Sequence, residues 1–161
     1  MAKIIFDTSP LQYLYQLGLM ELIPKLMKQI VVPQAVIDEL AQGSRIGVAV
    51  PDPVKLDWVT VERVDYADFL LPAWDLGAGE REALALALQN ADALVILDDS
   101  LARRAAKSLQ IPHMGTLGIL LLAKQENLLP LIRPLLDRLQ ALGFFLHAET
   151  RHAVLKLANE L

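Results

Sequence analysis

The chain has 161 residues, no Cys, a hydrophobic share of 54%, and 15 Lys and Arg against 19 Asp and Glu. That length makes one domain with a real core and leaves no room for two, and so apolar and charge-balanced a composition excludes disorder. The lack of Cys removes disulfides, thiolate catalysis, zinc ribbons and iron–sulfur clusters together and suits a reducing cytoplasm; the net charge of −4 argues against a basic-arm nucleic-acid binder but not against a nuclease, whose metal site concentrates acids.

Short β-rich runs alternate with helical patterns throughout, the signature of an α/β fold with a mostly parallel central sheet. Met1-Ala2-Lys3 runs straight into an apolar strand, Lys3–Phe6, without a small-residue cleavage site, so no signal peptide is expected. Ser9 reads as an N-cap with Pro10 at the first helical position, opening a helix through Tyr15. A second helix is expected over Leu19–Met27. Ile30–Val32 is a short buried strand, and Pro33 starts a helix over Gln34–Leu40 that Gly43 ends. Residues 43–57 are the least regular stretch, a surface excursion, before Trp58–Val64 alternates as an edge strand. Gly77-Ala78-Gly79 precedes a helix from Glu80 to Gln89 whose Ala-Leu repeat is apolar on every side and therefore buried. Ala93–Leu97 is a buried strand, followed by a helix over Leu101–Leu109, a short strand at Pro112–Met114 and an apolar helix over Leu117–Lys124. The apolar run inside it is far shorter than the roughly 20 residues that cross a bilayer, so no membrane span is expected. A helix over Leu129–Leu142, the run Phe144-Phe145-Leu146 and a last helix from Ala148 to Asn159 complete the chain. The apolar excess predicts a subunit interface.

In an open parallel sheet, ligands bind beyond the carboxyl ends of the strands, where strand order reverses. Two strands here end in acid: Phe6 is followed by Asp7, and Leu97 by Asp98-Asp99. Capping is the ordinary role for Asp at such places. Ser9, however, already stands at the expected cap before Pro10, and Asp98 and Asp99 cannot both cap the helix that follows. On the helix after Pro33, at about 100° per residue, Asp38 points away from Val36, Ile37 and Leu40 and reads as solvated. Glu39 lies on the margin of that face, either solvated or leaning over the sheet. Glu80 and Glu82 open a helix that is apolar all round; they complement its dipole or, with little open water nearby, take part in a site.

If these acids converge, repulsion settles what else must be present. Two carboxylates about 4 Å apart repel by roughly 4 kcal/mol at an effective dielectric of about 20, so three or four together need a cation or shifted pKa values. Setting aside Asp7, Glu39, Glu80 and one of the 98–99 pair leaves 15 acids against 15 bases, so the acidic surplus fits in one pocket. Hard oxygen donors, with no Cys and no His at ligand spacing, point to Mg²⁺ or Mn²⁺. Such ions hydrolyse phosphodiesters by activating water and stabilising the leaving oxygen.

The remaining polar residues are quieter. His113, His147 and His152 are scattered, and Trp58 and Trp74 read as packing residues. Arg103 and Lys107 share a helix face beside Asp99, where they are solvated or meet phosphates. Thr116 reads as a cap ahead of a substrate contact.

Taken in order, Phe6-Asp7-Thr8-Ser9-Pro10-Leu11, Val32-Pro33 with Val36-Ile37-Asp38-Glu39-Leu40, Leu76-Gly77-Ala78-Gly79-Glu80-Arg81-Glu82-Ala83, Ile96-Leu97-Asp98-Asp99-Ser100-Leu101-Ala102-Arg103 and Gly115-Thr116-Leu117-Gly118 resemble the motifs of PIN-domain proteins, in particular a prokaryotic PIN-like group of this size. The resemblance covers residues 3 to about 126 as a core, with 127–161 similar to the C-terminal helices of that group, and makes 1–161 a single domain. It implies a three-layer α/β/α sandwich and a magnesium- or manganese-dependent endoribonuclease acting on single-stranded RNA. Asp7, Glu39, Glu80 and Asp99 would be the catalytic and metal-holding acids, supported by Asp98, Glu82, Ser9 and Thr116, with Arg103 and Lys107 toward substrate. Many relatives are toxins silenced by a small antitoxin protein, and homodimers are common, which the apolar composition suits. The departure is Glu80, where the family usually has Asp. Alignment register favours Asp99 over Asp98 as the ligand. Two other readings compete: a catalytically silent PIN-like scaffold that binds RNA or a protein partner, and a phosphoacceptor receiver domain. The latter would place the paired acids on the first strand and a Lys on the last, where this chain has His113-Met114.

Overall fold

The computed structural model describes residues 2–65 and 75–161, so Trp74 lies outside the described residues. Among these, five strands form one sheet: β1 (Ile4–Phe6), β2 (Ile30–Pro33), β3 (Val59–Glu62), β4 (Leu94–Ile96) and β5 (His113–Met114). Eight α-helices surround it: α1 (Thr8–Gln16), α2 (Leu22–Met27), α3 (Gln34–Arg45), α4 (Ala78–Leu88), α5 (Ser100–Ser108), α6 (Thr116–Gln125), α7 (Arg133–Ala141) and α8 (Ala148–Leu157). Strand order is β3-β2-β1-β4-β5 and every pairing is parallel. The chain thus winds outward from β1 to β3 on one side, then returns to place β4 on the other side of β1. The order reverses between β1 and β4, as the acids at their ends suggested, and β3 is an edge strand.

Three layers follow from the two-residue period of the strands. Phe6, Ile30, Val32 and Ile96 point to one face, where they meet Leu11 and Leu14 of α1, Val36 and Leu40 of α3, Ile119 and Leu120 of α6, and Leu136 and Leu139 of α7. Ile5, Val31, Val95 and Leu97 point to the opposite face, against Leu84 of α4 and Ala102, Ala105 and Ala106 of α5. The small side chains of α5 let that helix lie close to the sheet. Trp58 packs at the margin of the first cluster, as a packing residue should.

Helix boundaries depart from the sequence expectation in ways that local chemistry explains. Helix α1 begins at Thr8, so Asp7 and not Ser9 holds the N-cap position, although the Asp7 side chain makes no capping bond there. Pro10 still sits in the first turn, where its missing N–H has no partner to lose. Helix α3 runs through Gly43 to Arg45. It stops because Gly47 turns the chain at φ +87°, with Gly47 N donating to Ser44 O at 3.2 Å and Val48 N to Gly43 O at 2.9 Å, the paired closure that favours glycine. Helix α4 starts at Ala78, so Gly79 lies inside its first turn. Helix α7 starts at Arg133, later than the apolar pattern predicts; Pro130 disfavours helix at Leu129, and Pro134 marks the true first turn.

The last helices are not an appendage. Ile132, Leu135, Leu136, Leu139, Val154 and Leu155 belong to the same buried cluster as Phe6. Glu160 closes the arrangement: its carboxylate accepts from Lys124 Nζ at 3.0 Å, Ile132 N at 2.8 Å and Arg133 N at 3.0 Å. Burial opposes the charge on Glu160, but these three donors together outweigh it and hold the carboxyl below its ordinary value. It acts as a cap donated to α7 from far along the chain. Glu160→Ala is expected to destabilise the fold by about 2 kcal/mol, the scale of losing hydrogen bonds to a charged group, read as a lower urea midpoint at unchanged slope.

Candidate active site

Asp7 leaves β1 at the point where Phe6 pairs with Ile96 of β4, and its backbone N–H donates to Ile96 O at 2.9 Å. Asp7 and the Leu97-Asp98-Asp99 run therefore emerge side by side from neighbouring strands. Helix α3, entered directly from β2, brings Glu39 over the same end of the sheet. The first turn of α4 brings Glu80. Glu39 is half-buried, whereas Asp38 is exposed and accepts only from Gln34 of its own helix at 3.0 Å.

The convergence is measured at Gly79. A Cβ there would collide with Glu39 Oε1 and lie 3.1 Å from Val36 Cγ2 and 3.2 Å from Asp7 Oδ1. At Gly77 it would lie 3.2 Å from Glu80 Oε1 and 3.8 Å from Glu39 Oε2. The Gly77-Ala78-Gly79 turn is therefore free of side chains at the two places where acids crowd it. Backbone donors answer them: Gly79 N donates to Glu39 Oε2 at 3.4 Å and Gly77 N to Glu80 Oε1 at 3.2 Å. Thr8 Oγ1 donates a short hydrogen bond to Glu39 Oε1. Neither Thr8 nor Gly79 stood out in the sequence as a site residue; the glycine pair just before an acid was the available signal.

Other acids are held elsewhere. Asp98 accepts from both Thr116 N and Thr116 Oγ1, each at 2.7 Å, so the buried Thr116 ties the end of β4 to the start of α6. Gly115 makes this possible, since a Cβ there would sit 2.8 Å from Asp98 Oδ1. Glu82 reaches across to accept from Ala35 N at 3.1 Å, capping α3 from α4. Asp99 is exposed and caps α5 through Ala102 N at 3.0 Å. A cleft of about 530 Å³ opens beside Asp98 and Asp99; Ser9, Tyr13 and Arg103 also line it, while Lys107, a turn further along α5, does not.

Charge is strongly opposed here. Asp7, 4% exposed, has its carboxyl pushed up to about 8 by burial, against the pull of the Thr8 backbone, with Glu80, Glu39 and Asp98 adding to the rise. Glu80 is pushed up to about 7, first by burial and then by Asp99 and Glu39. Burial also raises Asp98, although Thr116 and Arg103 counter it. Glu80 Oε2 is buried and, among the described residues, has no hydrogen-bond donor. It has Asp99 for a neighbour, so the pair needs either a shared proton or a cation. Among the described residues, no three acidic or imidazole groups already form a closed ligand set. By donor chemistry the group nevertheless fits a hard divalent cation: every candidate ligand is a carboxylate oxygen, and one buried oxygen has no partner among the described residues.

Two outcomes follow for the metal-free protein. In the unfolded chain Asp7 and Glu80 titrate near their ordinary values of 3.8 and 4.5, and in the folded chain at about 8 and about 7. Between those limits the folded state keeps protons that the unfolded state has released. Stability is therefore greatest below the ordinary values and falls as pH rises toward about 8, by up to roughly 1.4 kcal/mol per pH unit where the unfolded Asp7 is ionised and the folded one keeps its proton; Glu80, half open to solvent, adds less. In chelator, Tm is expected to decline across this window, Asp7→Asn to flatten the decline, and Mn²⁺ to restore Tm in the wild type at the alkaline end. Gly79→Ala is expected to cost about 1–3 kcal/mol through overpacking and to shrink the Mn²⁺-dependent rise in Tm.

Comparison with protein families matches residues 3–160 to DUF3368, described as a PIN domain. No curated protein matches the chain. The match spans nearly all of the sequence, and it agrees with the parallel sheet, the reversal between β1 and β4 and the acids gathered there. The chain belongs to the PIN-domain family, a family of nucleases that generally depend on divalent metal ions.

Proposed function

We propose that this protein is a Mg²⁺- or Mn²⁺-dependent endoribonuclease that hydrolyses phosphodiester bonds of single-stranded RNA, with Asp7, Glu39, Glu80 and Asp99 as its catalytic acids. The observation that carries the reading is the crowding of Asp7, Glu39 and Glu80 around the bare Gly77–Gly79 turn, with Glu80 Oε2 buried and, among the described residues, without a partner. A bound divalent ion would supply acidified water and neutralise charge developing on the phosphate.

The chain's own residues prepare that chemistry. Asp7 is the deepest acid and the one whose charge most needs a cation. Thr8 and Gly79 fix the orientation of Glu39 from two sides. Glu80 keeps Oε1 on Gly77 and leaves Oε2 buried without a partner among the described residues, with Asp99 near enough to oppose its charge. Its extra methylene lets a helix-borne acid reach this group where the family usually has the shorter Asp. Asp98, bound to Thr116, sets the cleft wall and does not compete for the ion. Arg103, in the same wall, offers a planar donor fork to a phosphate.

The same reading makes the protein cytoplasmic, as the absence of Cys suits, and a toxin restrained by a small antitoxin protein. The apolar composition supports a homodimer, and Ile46 and Val54 on the surface excursion are among the apolar side chains left exposed. No described helix is long and apolar enough to cross a membrane.

With Mn²⁺, the purified protein is expected to cleave single-stranded RNA. Asp7→Asn and Asp99→Asn should each lower kcat/KM by about 100-fold or more, the scale of removing one group that stabilises developing charge. Both should stay folded, because Asn caps α5 as well as Asp does and, in place of Asp7, removes a charge that burial opposes. Equal cleavage by wild type and both variants would mark a contaminant. No cleavage and no metal-dependent rise in Tm would leave a PIN-fold scaffold that binds RNA or a protein partner.

A further inference from the structure

Gly143, at φ +100°, turns the chain back after α7, and residues 144–147 then cross the mouth of the cleft before α8 begins. Phe144 anchors this crossing: its ring meets Tyr13 edge-on, with centroids 5.1 Å apart at 78°. The next residue does the opposite. Phe145 is 78% exposed, and it is held edge-on against His147 with centroids 4.5 Å apart at 84°. A phenyl ring left this open gives up most of the stabilisation that burial would provide, and here it is also braced in one orientation by a neighbouring ring. Both rings line the same cleft as Asp98, Asp99 and Arg103.

One cleft thus combines three chemistries: Asp99, one of the proposed catalytic acids, a guanidinium and an open aromatic face. Its volume of about 530 Å³ falls in the range of roughly 300–1,000 Å³ usual for small-ligand clefts. A single-stranded nucleotide carries the matching parts, namely a phosphate to be cut, a neighbouring phosphate for a cation and a base with a free π-face. A duplex does not, because its bases are already stacked on one another and offer no free face.

We propose that Phe145, braced by His147, is a stacking shelf for a nucleobase of single-stranded nucleic acid, seating the nucleotide beside the phosphate to be cut. The proposal rests on the nuclease reading above for the position of the scissile bond, but base stacking itself is independent of cleavage. The shelf acts in binding. It also gives a physical source for selectivity toward single strands that the acids by themselves do not provide.

Full-length Phe145→Ala and Phe145→Trp variants test it against an oligouridylate and an abasic oligomer of equal charge. In Mn²⁺, Phe145→Ala is expected to raise KM by roughly five- to a hundred-fold, the effect of losing one base–aromatic stack, and to lower kcat by a smaller factor. Phe145→Trp should restore KM, and its added fluorescence, above the background of Trp58 and Trp74 in the wild type, should be quenched by oligouridylate and not by the abasic oligomer. Equal KM for the two variants, or equal quenching by both oligomers, overturns the shelf. So does a loss of dimer on Phe145→Ala with KM unchanged, which would give the ring to a second copy of the chain. Should the wild type fail to cleave at all, the nuclease reading falls, while base-dependent quenching of Phe145→Trp in chelator still decides the shelf by itself.

Discussion

Asp7 sits at the end of a central strand and is only 4% exposed, and three other acids raise the cost of its charge beyond what burial alone imposes. Much of the molecule can be understood as the framework that holds this unfavourable group in place. Parallel register between β1 and β4 sets Asp7 next to Asp98 and Asp99. Helix α3 leans Glu39 in, and the glycine turn before Glu80 leaves the space that the carboxylates occupy. A core of aliphatic side chains on both faces of the sheet outweighs the local penalty, as is usual where a site stores instability for function.

Acids of the same kind take different roles according to the donors they meet. Glu82 meets the open N-terminus of α3, Asp98 meets Thr116, and Glu160 meets Lys124 and the start of α7. Each is spent on backbone groups that would otherwise lack partners, and each pins one helix to another part of the chain. Glu80 is the contrast, with one oxygen on a backbone N–H and the other without a hydrogen-bond partner among the described residues.

Much of the architecture is legible in the sequence. The alternation of apolar runs gives strands and helices in the right order, and the two-residue period assigns Phe6 and Ile5 to opposite faces, because side-chain direction in a strand is a local property. The acids at strand ends were legible for the same reason, as was the outward turn of Asp38 relative to Glu39. Helix starts were less so. Ser9 looks like a cap, yet β1 passes straight into α1 through Asp7, and Gly43 looks like a stop, yet Gly47 is the residue that turns the chain.

Sequence alone determined the fold class, the edge position of β3 and the pool of acids from which a site is drawn, since each depends on patterns a few residues long. Only the tertiary structure decided which acids meet. Glu82 is two residues from Glu80 and reads as a supporting acid beside it, but the turn of α4 directs it to Ala35. The roles of Thr8, Gly79 and Phe145 are not legible from neighbouring residues, because they lie in a hydroxyl within reach of a distant glutamate, a missing Cβ where two acids approach, and a ring left open beside a cleft. Those are distances between parts of the chain far apart in sequence, and only folding brings them together.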